Sequence, residues 1–458
     1  MSPGSLAFRL SRSVLSTISP PIPQARKWAT MYVPKAGRPL LDMSQGVPGV
    51  PPPKILLDAL SKASLSPDAC GYCPPTGEPS LRHAMAQEMK TVYGQAADIT
   101  SDDIAITSGC NMAFIATVMC LADAGDEIIL PVPWYFNHQM SLNLLGIKAV
   151  PLLTCTEEGF TPSPHTCASL ISSKTRAIAL VTPNNPTGAI YSPALIASFA
   201  DLAKQHNLAL IVDETYRDFI NPGPPHSLFS PLPPKPYHGA HLTKSWRETF
   251  VHLFSFSKSY CIPGHRLGLI AASPTLLRHI TTTLDCLQIC PPRPPQLAFA
   301  SPSLLPSLRP SILANATALV ERHRLFRELL PEKWIIGAQG GYFAFVKHPF
   351  MGVSAYDVCA RLATEVGVLT LPMQFFCDED MEVGGEGGEV KGDWERWIRF
   401  SVANVDDEKV RRVCERLKEC EETKRRNLKS FTRDSPDTLF PRVNWLIELG
   451  QPFAQKGH

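Results

Sequence analysis

The middle of the chain alternates between short apolar runs and helical stretches, and this alternation constrains the fold more than any other feature. The helical stretch 193–205, for instance, has Ser192 in the N-cap position and Pro193 at its first turn. Strands that alternate with helices predict an α/β fold with a mostly parallel central sheet flanked by helices. The predicted strands cover residues 104–107, 127–130, 149–153, 177–181, 208–212, 251–254 and 267–271.

The strand predicted at 251–254 runs into a lysine among small hydroxyl side chains. Lys258 follows Ser255 and Ser257, and Arg266 comes shortly after it. A lysine that loses solvation at the mouth of a buried strand can stay neutral, which is the form that makes a Schiff base with an aldehyde cofactor. An arginine and nearby hydroxyls suit a phosphate monoester. Taken alone, the same lysine is typical of a solvated surface position.

Two further predicted strands end in polar side chains that fit the same chemistry. The run 208–212 leads to Asp213, whose carboxylate can pair with a pyridinium nitrogen and keep that ring an electron sink. Tyr216, a few residues later, can donate to a ring hydroxyl. The run 177–181 leads into a turn fixed by Pro and Gly, in which Asn185 supplies an amide. Each motif alone is equally compatible with an ordinary loop.

A third turn favours the binding of a phosphate. The strand 104–107 is followed by Gly109, Cys110 and Asn111 at the start of an apolar helix. Free backbone N–H groups at a helix N-terminus bind phosphate, and glycine permits its close approach. The segment is not a P-loop, since no Gly-Lys-Ser/Thr follows, and a simple strand–helix turn is the alternative. All these polar residues fall at carboxyl ends of predicted strands, where open α/β sheets bind ligands.

The order and spacing of these motifs resemble the class I/II aminotransferase family, which comprises fold-type I enzymes that depend on pyridoxal 5′-phosphate. The resemblance covers roughly residues 40–420. It implies that Lys258 binds the cofactor and shuttles a proton, with Asp213 as the partner of the pyridinium nitrogen and Tyr216 as a further catalytic group. The resemblance also assigns to the cofactor Asn185 and Tyr216 at its phenolic oxygen, and Gly109, Cys110, Asn111, Ser255, Ser257 and Arg266 at its phosphate.

Three regions match the family less closely. Tyr135, with Trp134 as the alternative, resembles the aromatic residue that lies over the cofactor ring. Arg399 has apolar neighbours in a late strand and resembles the arginine that binds the substrate α-carboxylate. Gly46, together with Asn185, resembles the substrate-binding positions.

Tyr72 resembles the tyrosine that reaches the cofactor phosphate of a neighbouring subunit. The resemblance therefore implies a homodimer with shared active sites. The alternative is a loop tyrosine in ordinary packing.

The pattern of the chain changes after about residue 300, where a long helical stretch (312–330) precedes short strands. This part resembles the smaller α+β domain of the family, formed by the N-terminal arm and the C-terminal part. Two stretches, 222–247 and 378–393, depart from the family pattern. The predicted units are an arm with part of the small domain (1–55), a large cofactor-binding domain (56–305), a small C-terminal domain (306–420) and a tail (421–458).

Composition excludes several classes of protein. The 458 residues are 44% hydrophobic and 19% charged, enough apolar material for more than one core. A net charge of +2 gives no argument for nucleic acid or membrane surfaces as partners, neither of which is expected, and no apolar run of about 18 residues is present. The pair Cys70 and Cys73 lacks a second pair at metal spacing, so no metal site is predicted.

The N-terminal segment is compatible with two cellular locations of the protein. Arg9, Arg12, Arg26 and Lys27 precede the first acid, Asp42, which is typical of a mitochondrial transit peptide. The segment 10–26 also resembles the arm that begins many aminotransferases and laces across the dimer. The thirteen cysteines fit a reducing compartment. We therefore expect a cytoplasmic enzyme, with mitochondrial targeting as the alternative.

The favoured function is transfer of an amino group from an L-amino acid to a 2-oxo acid. A pyridoxal-phosphate-dependent lyase or synthase is the alternative, because Lys258, Asp213 and Arg399 would serve either chemistry. A non-catalytic binding protein would require a broken set of motif residues, and the set is intact. The choice of substrate stays open.

Two observations bear on the substrate side chain. The sequence offers Arg293 only as a loose match for a second carboxylate-binding arginine. Three aromatic residues lean weakly toward neutral or aromatic amino acids: Trp134, Tyr135 and Tyr342.

Overall fold

The structure, a computed structural model, describes residues 8–220, 223–230, 245–378 and 394–426. The stretches 222–247 and 378–393, which depart from the family pattern, lie mostly outside the described residues, and so do residues 427–458 of the predicted tail. Within the described ranges, no helix combines the length and the apolar character that crossing a membrane requires.

The strands follow the alternation that the sequence predicts. They are β1 (Leu41–Asp42), β2 (Ile104–Thr107), β3 (Glu127–Val132), β4 (Lys148–Leu153), β5 (Thr175–Val181), β6 (Ala209–Asp213), β7 (Phe250–Ser255), β8 (Gly268–Ala271), β9 (Ile335–Gly340), β10 (Phe343–Lys347), β11 (Val368–Leu369), β12 (Leu371–Pro372) and β13 (Trp397–Ser401).

The helices lie between these strands and at both ends of the described chain. They are α1 (Arg12–Ser16), α2 (Pro21–Met31), α3 (Lys54–Ser64), α4 (Pro79–Tyr93), α5 (Cys110–Leu121), α6 (Phe136–Leu145), α7 (Pro164–Leu170), α8 (Pro193–Gln205), α9 (Phe256–Ser259), α10 (Pro274–Gln288), α11 (Arg293–Phe299), α12 (Leu304–Leu329), α13 (Ala355–Arg361) and α14 (Asp407–Arg426).

The large unit is built on a seven-stranded sheet in the order β2-β8-β7-β6-β5-β3-β4. Every neighbouring pair is parallel except those that involve β8, which runs antiparallel to β2 and β7. The predicted α/β fold with a mostly parallel sheet is therefore confirmed. In this register Asp213 lies between Val181 and Leu253, so the polar ends of β5, β6 and β7 meet at one edge.

The smaller unit contains a four-stranded antiparallel sheet in the order β12-β13-β10-β9. A short parallel pair of β1 with β11 joins it to the N-terminal arm. Ala25 and Trp28 of α2 are buried in the same apolar core as residues from α12, α13 and α14. Trp28 stacks on Phe375 with ring centroids 5.9 Å apart and meets the edge of Tyr356 at 5.1 Å. The domain boundaries given above stay predictions.

One predicted helix is longer than expected. The sequence predicts a helix over 312–330, but α12 already begins at Leu304 and holds Pro310 in its interior. Proline removes a helical hydrogen bond, which made an earlier start look unfavourable. Leu304, Leu305 and Leu308 are nevertheless buried in the core of the large unit, and burial of apolar side chains offsets the cost of the proline.

Candidate active site

A cavity of about 420 Å³ opens at the carboxyl ends of the parallel strands. Its size is within the range of about 300–1,000 Å³ that small-molecule sites occupy. Apart from Gly109 and Tyr72, every site residue predicted from the sequence lines this cavity. The lining residues are Ile22, Arg26, Gln45, Gly46, Val47, Cys110, Asn111, Tyr135, Phe136, Asn137, Val181, Asn185, Asp213, Thr215, Tyr216, Ser255, Ser257, Lys258, Arg266 and Arg399.

Lys258 sits on the short helix α9, directly after β7, because Ser255 ends the strand and caps the turn that follows. Its Nζ donates to the carbonyl oxygen of Gly46 at 2.6 Å. Burial, together with the nearby charges of Arg266 and Arg399, lowers the pKa of Lys258 to about 8, against the opposing effect of Asp213. About a fifth of this amine is therefore neutral at about pH 7.4, far more than for an ordinary lysine, and the neutral form is the one that a nucleophile or base requires.

This pKa predicts a pH dependence for covalent binding of pyridoxal phosphate to the apoenzyme. Lysine is neutral above its pKa, so the rate is expected to rise about tenfold per pH unit below pH 8 and to level off above it. An ordinary lysine, with a pKa of 10.5, would keep gaining neutral amine throughout this range. Absorbance-detected binding between about pH 6 and about pH 9.5 measures the profile. A rate that still rises tenfold per unit at the upper end contradicts the assignment.

Asp213 ends β6 and is buried, with two hydrogen-bond partners. The backbone N–H of Thr215 donates to Oδ1 at 2.9 Å, and Nε2 of His138 lies 3.3 Å from Oδ2. Burial alone would raise the pKa of Asp213, but His138 and Thr215 outweigh it and lower the pKa overall. The imidazole is held in turn by stacking on Phe114, with centroids 3.9 Å apart. The result is a buried carboxylate that stays ionised.

Arg266 packs against the N-terminus of α5 and completes a cradle for an anion. Its backbone is left-handed, at φ 52°, and Nη1 donates to the carbonyl oxygen of Pro263 at 3.2 Å. Gly109, at φ +89°, has room only for hydrogen at its α carbon, because a Cβ there would overlap the guanidinium of Arg266. Ser255 and Ser257 also line the cavity. Gly109 thus contributes by allowing the guanidinium of Arg266 to lie close to the backbone at the start of α5.

Gly109→Ala is expected to weaken pyridoxal phosphate binding by about 10- to 100-fold, because the added methyl group displaces the guanidinium of Arg266 and its charge-assisted hydrogen bonds. Gly264→Ala is the matched control, since a Cβ there meets no atom within 4 Å. Titration of each apoenzyme with the cofactor measures the affinity. Equal affinities for the two variants would show that the cradle does not depend on Gly109.

Arg399 is a buried cation without an acidic partner among the described residues. Nη1 donates to Oδ1 of Asn185 at 2.7 Å, and Nη2 donates to the carbonyl oxygen of Ser44. The guanidinium carbon lies 4.6 Å from the ring centroid of Phe343 and 5.0 Å from that of Phe376. Nε has no hydrogen-bond partner in the structure. Burial lowers the pKa of Arg399 to about 10, and an arriving carboxylate would compensate that buried charge.

Tyr135, rather than Trp134, faces the cavity. The hydroxyl of Tyr135 donates to Oδ1 of Asn111 at 3.4 Å and accepts from Nδ2 of Asn137 at 2.9 Å. Trp134 is 2% exposed and belongs to the core of the large unit. Tyr342 is likewise buried and does not line the cavity. Trp134, Tyr135 and Tyr342 were the basis for expecting a neutral or aromatic substrate. Of these three residues, only Tyr135 lines the cavity.

Two predicted positions lie away from the cavity. Tyr72 is 79% exposed on the loop before α4. Arg293 forms an ion pair with Glu78 at 2.5 Å and donates to the carbonyl oxygen of Asp68. The loose match of Arg293 to a substrate-binding arginine thus has no support within this protomer.

Sequence reasoning missed some polar groups of the site. His138 holds Asp213 but comes from α6, and its only sequence signal is its position one helical turn after Tyr135. Thr215 was part of the Asp213 motif but was not singled out. Arg26 and Gln45 also line the cavity, and Arg26 was considered only as part of a basic N-terminal segment.

The residues of the cavity fit pyridoxal phosphate. The cradle at the N-terminus of α5 suits a phosphate, and the ionised, buried Asp213 suits a pyridinium nitrogen. A lysine of lowered pKa stands in the same cavity and can react with an aldehyde.

Comparisons with known proteins agree with this chemistry. The chain belongs to the aminotransferase class I and II family, whose model matches residues 38–417. It is 29% identical over 343 residues to the arginine–pyruvate transaminase AruH of Pseudomonas aeruginosa, covering 74% of this chain and 83% of the relative. It is 27% identical over 377 residues to the aromatic aminotransferase ISS1 of Arabidopsis thaliana, covering 79% and 88%.

A solved structure shares the fold. The aspartate aminotransferase of Thermus thermophilus with maleate superposes with a TM-score of 0.76 at 23% identity, over 90% of this chain and 99% of that one. The chain is a pyridoxal-phosphate-dependent aminotransferase, as the resemblance of its motifs implies.

Proposed function

We propose that this cavity transfers an amino group between an L-amino acid and a 2-oxo acid, with Lys258, Asp213 and Arg399 as its principal groups. The observation that carries the proposal is their convergence. A buried amine of lowered pKa and an ionised carboxylate lie at the carboxyl ends of β7 and β6, and Arg399, without an acidic partner among the described residues, lines the same cavity from the middle of β13.

The large unit would hold and polarise the cofactor. When bound, pyridoxal phosphate supplies an aldehyde that condenses with amines and a pyridinium ring that accepts an electron pair. Asp213, kept ionised by His138, would hold the proton of the ring nitrogen. Burial raises the pKa of Tyr216, so its hydroxyl stays protonated and can donate to the phenolic oxygen. The phosphate would be held by Ser255, Ser257, Arg266 and the backbone of Cys110 and Asn111, with Tyr135 beside the ring.

Lys258 would move the proton. Its neutral Nζ would accept the proton of the substrate α carbon, and the resulting ammonium would deliver it to the carbon of the cofactor's aldehyde group, which allows the amino group to stay with the cofactor. Arg266 and Arg399 make the ammonium less stable than in water and so favour its return of the proton. Gly46, whose carbonyl oxygen accepts from Nζ at 2.6 Å, holds the amine in the cavity.

Arg399 would bind the α-carboxylate of the substrate. Its planar guanidinium is fixed by Asn185 and Ser44 and packed between Phe343 and Phe376, so the orientation is set before the substrate arrives. Asn185 contacts this guanidinium and also lines the cavity, which makes it common to the cofactor and substrate positions.

Arg399→Gln is expected to lower kcat/KM for every amino-acid donor by about 100-fold, mainly through KM, because charge-assisted hydrogen bonds to the carboxylate are lost. Arg399→Lys keeps the charge without the planar fork and is expected to fall between Arg399→Gln and the wild type. Steady-state kinetics with one fixed oxo acid measure the effect. An unchanged KM for the donor would contradict the assignment.

We further propose a homodimer in which Tyr72 reaches the cofactor of the partner. Tyr72 is 79% exposed on the loop before α4, so its side chain is available to contact a second copy of the chain. Sedimentation analysis tests the dimer. A hybrid of Lys258→Ala and Tyr72→Phe subunits tests sharing, since one of its two sites would then be native.

A cytoplasmic location is part of the same proposal. Cleavage of a transit peptide near residue 30 would remove Trp28, which packs in the core of the small unit. The cysteines of the described residues are free thiols, as in a reducing compartment. Cell fractionation followed by N-terminal sequencing tests the location, and a mature enzyme that begins after Trp28 in mitochondria would overturn it.

An absorbance scan of the holoenzyme tests the function directly. Amino acids are added one at a time without an oxo acid. A visible cofactor band that converts to the near-ultraviolet band of the aminated cofactor, and returns when a 2-oxo acid is added, supports the proposal and identifies the donor. Release of ammonia, a thiol or a cyclised product without this exchange would favour a lyase or synthase.

A further inference from the structure

The cavity contains a fourth cation to which neither the cofactor nor the α-carboxylate assigns a role. Lys258, Arg266 and Arg399 have the proposed roles given above. Arg26 lines the same cavity from α2, on the N-terminal arm. Among the residues that the structure describes, Arg26 forms no ion pair with an acidic side chain.

Arg26 is held by a neutral side chain. With the amide of Gln45 oriented so that its oxygen faces α2, Nη2 and Nε of Arg26 donate to that oxygen at 2.7 and 3.3 Å. A guanidinium carries five N–H donors, so donors remain for a ligand. Arg26 is itself exposed, so water rather than an acidic side chain solvates its charge until a ligand binds.

The three residues Ser44, Gln45 and Gly46 each bind a different cation of the cavity. The carbonyl oxygen of Ser44 accepts from Arg399, the side chain of Gln45 accepts from Arg26, and the carbonyl oxygen of Gly46 accepts from Lys258. Consecutive Cα atoms are about 3.8 Å apart, so one tripeptide spanning less than about 8 Å anchors all three. All three cations are therefore positioned by one short segment of the cavity lining.

The surroundings of Arg26 suit a side chain that is apolar along its stem and anionic at its end. Ile22 and Arg26 are four residues apart on α2 and therefore lie on the same face of the helix, and both line the cavity. Val47 is a second apolar residue of the cavity lining. Methylene groups can pack on Ile22 and Val47 while a terminal carboxylate reaches the guanidinium.

We propose that Arg26, oriented by Gln45, determines specificity by binding the side-chain carboxylate of acidic amino acids and of the corresponding dicarboxylic 2-oxo acids. The proposal rests on the proposed function, in which Arg399 takes the α-carboxylate and Lys258 stands at the α carbon. This proposal replaces the expectation of neutral or aromatic substrates, because Trp134 and Tyr342 do not line the cavity.

The kinetic test compares L-glutamate with L-leucine as donors to pyruvate, using the holoenzyme. In Arg26→Gln the ratio of kcat/KM for glutamate to that for leucine is expected to fall by about 10- to 100-fold, because a charge-assisted bidentate contact is lost. Arg26→Lys keeps the charge without the planar fork and is expected to lose less. Lys27→Gln removes one positive charge from the same helix at a position outside the cavity lining, and its ratio is expected to match the wild type.

A binding measurement separates recognition from turnover. Succinate carries two carboxylates and no amino group, so its calorimetric Kd for the holoenzyme reports on binding alone. The Kd is expected to rise about tenfold in Arg26→Gln, whereas the Kd of butyrate, which has one carboxylate, is expected to change little.

The outcomes that overturn the proposal are distinct from those that overturn the proposed function. An unchanged donor ratio, the same loss in Lys27→Gln as in Arg26→Gln, or a wild type that converts leucine but not glutamate would each reject the role of Arg26. If the wild type converts neither these donors nor any other amino acid, the proposed function itself fails.

Discussion

Lys258→Ala is expected to reduce kcat by about 10⁴-fold or more, because one side chain supplies both the nucleophile and the base. Steady-state turnover measures the loss. Borohydride reduction followed by peptide mass analysis shows whether the cofactor still attaches to this position. The fold is expected to stay intact, since the substitution removes a buried amine whose desolvation lowers its pKa to about 8.

Lys258→Arg distinguishes the chemistry of this amine from its charge. A guanidinium keeps the positive charge but is not deprotonated in proteins, so this variant is expected to be as inactive as Lys258→Ala. Thermal unfolding of both variants serves as the control for folding. Retained turnover in either variant would remove Lys258 from the mechanism.

Asp213→Asn is expected to lower kcat by about 10²- to 10³-fold, because it leaves a buried cationic ring nitrogen without its carboxylate. The substitution preserves the size of the side chain and the hydrogen bond from Thr215, so the effect reports the charge. Single-turnover rates with a saturating amino acid measure it, since they exclude changes in cofactor loading.

His138→Phe is the companion variant. It keeps an aromatic ring against Phe114 but removes the nitrogen 3.3 Å from Asp213. Groups that orient a functional side chain typically contribute about 10- to 100-fold, so a smaller loss than that of Asp213→Asn is expected. If Asp213→Asn keeps more than about a tenth of the wild-type rate, the carboxylate is not the group that supports the ring charge.

Lys258, Asp213 and Asn185 could be placed from the sequence because each follows an apolar run. Parallel strands bring such positions to one edge of a sheet whatever the details of the fold. Tyr135 and Trp134 could not be separated in this way, since they are adjacent residues after β3 and only the path of the chain decides which one faces the cavity. The backbone N–H of Trp134 donates to the carbonyl oxygen of Phe376 at 2.9 Å, and its ring packs in the core.

His138 and Arg26 could not be predicted because their partners are distant in the sequence. His138 starts from the helix after β3 and reaches Asp213 at the end of β6, with β5 between those strands. Arg26 meets Gln45 only because α2 packs against the small unit through Ala25 and Trp28. Local patterns carry no signal for contacts that depend on how separate elements pack.

The shared core of α2 with the C-terminal part has a consequence for biosynthesis. The residues of the seven-stranded sheet, from Ile104 to Ala271, are contiguous and can pack while later residues are still being translated. Trp28 finds its ring partners Tyr356 and Phe375 only after those residues have left the ribosome. Until then the N-terminal arm of the nascent chain is unpacked, and the cavity lacks Arg399. The ability to bind a substrate is therefore acquired near the end of synthesis, after most of the cofactor-binding residues are in place.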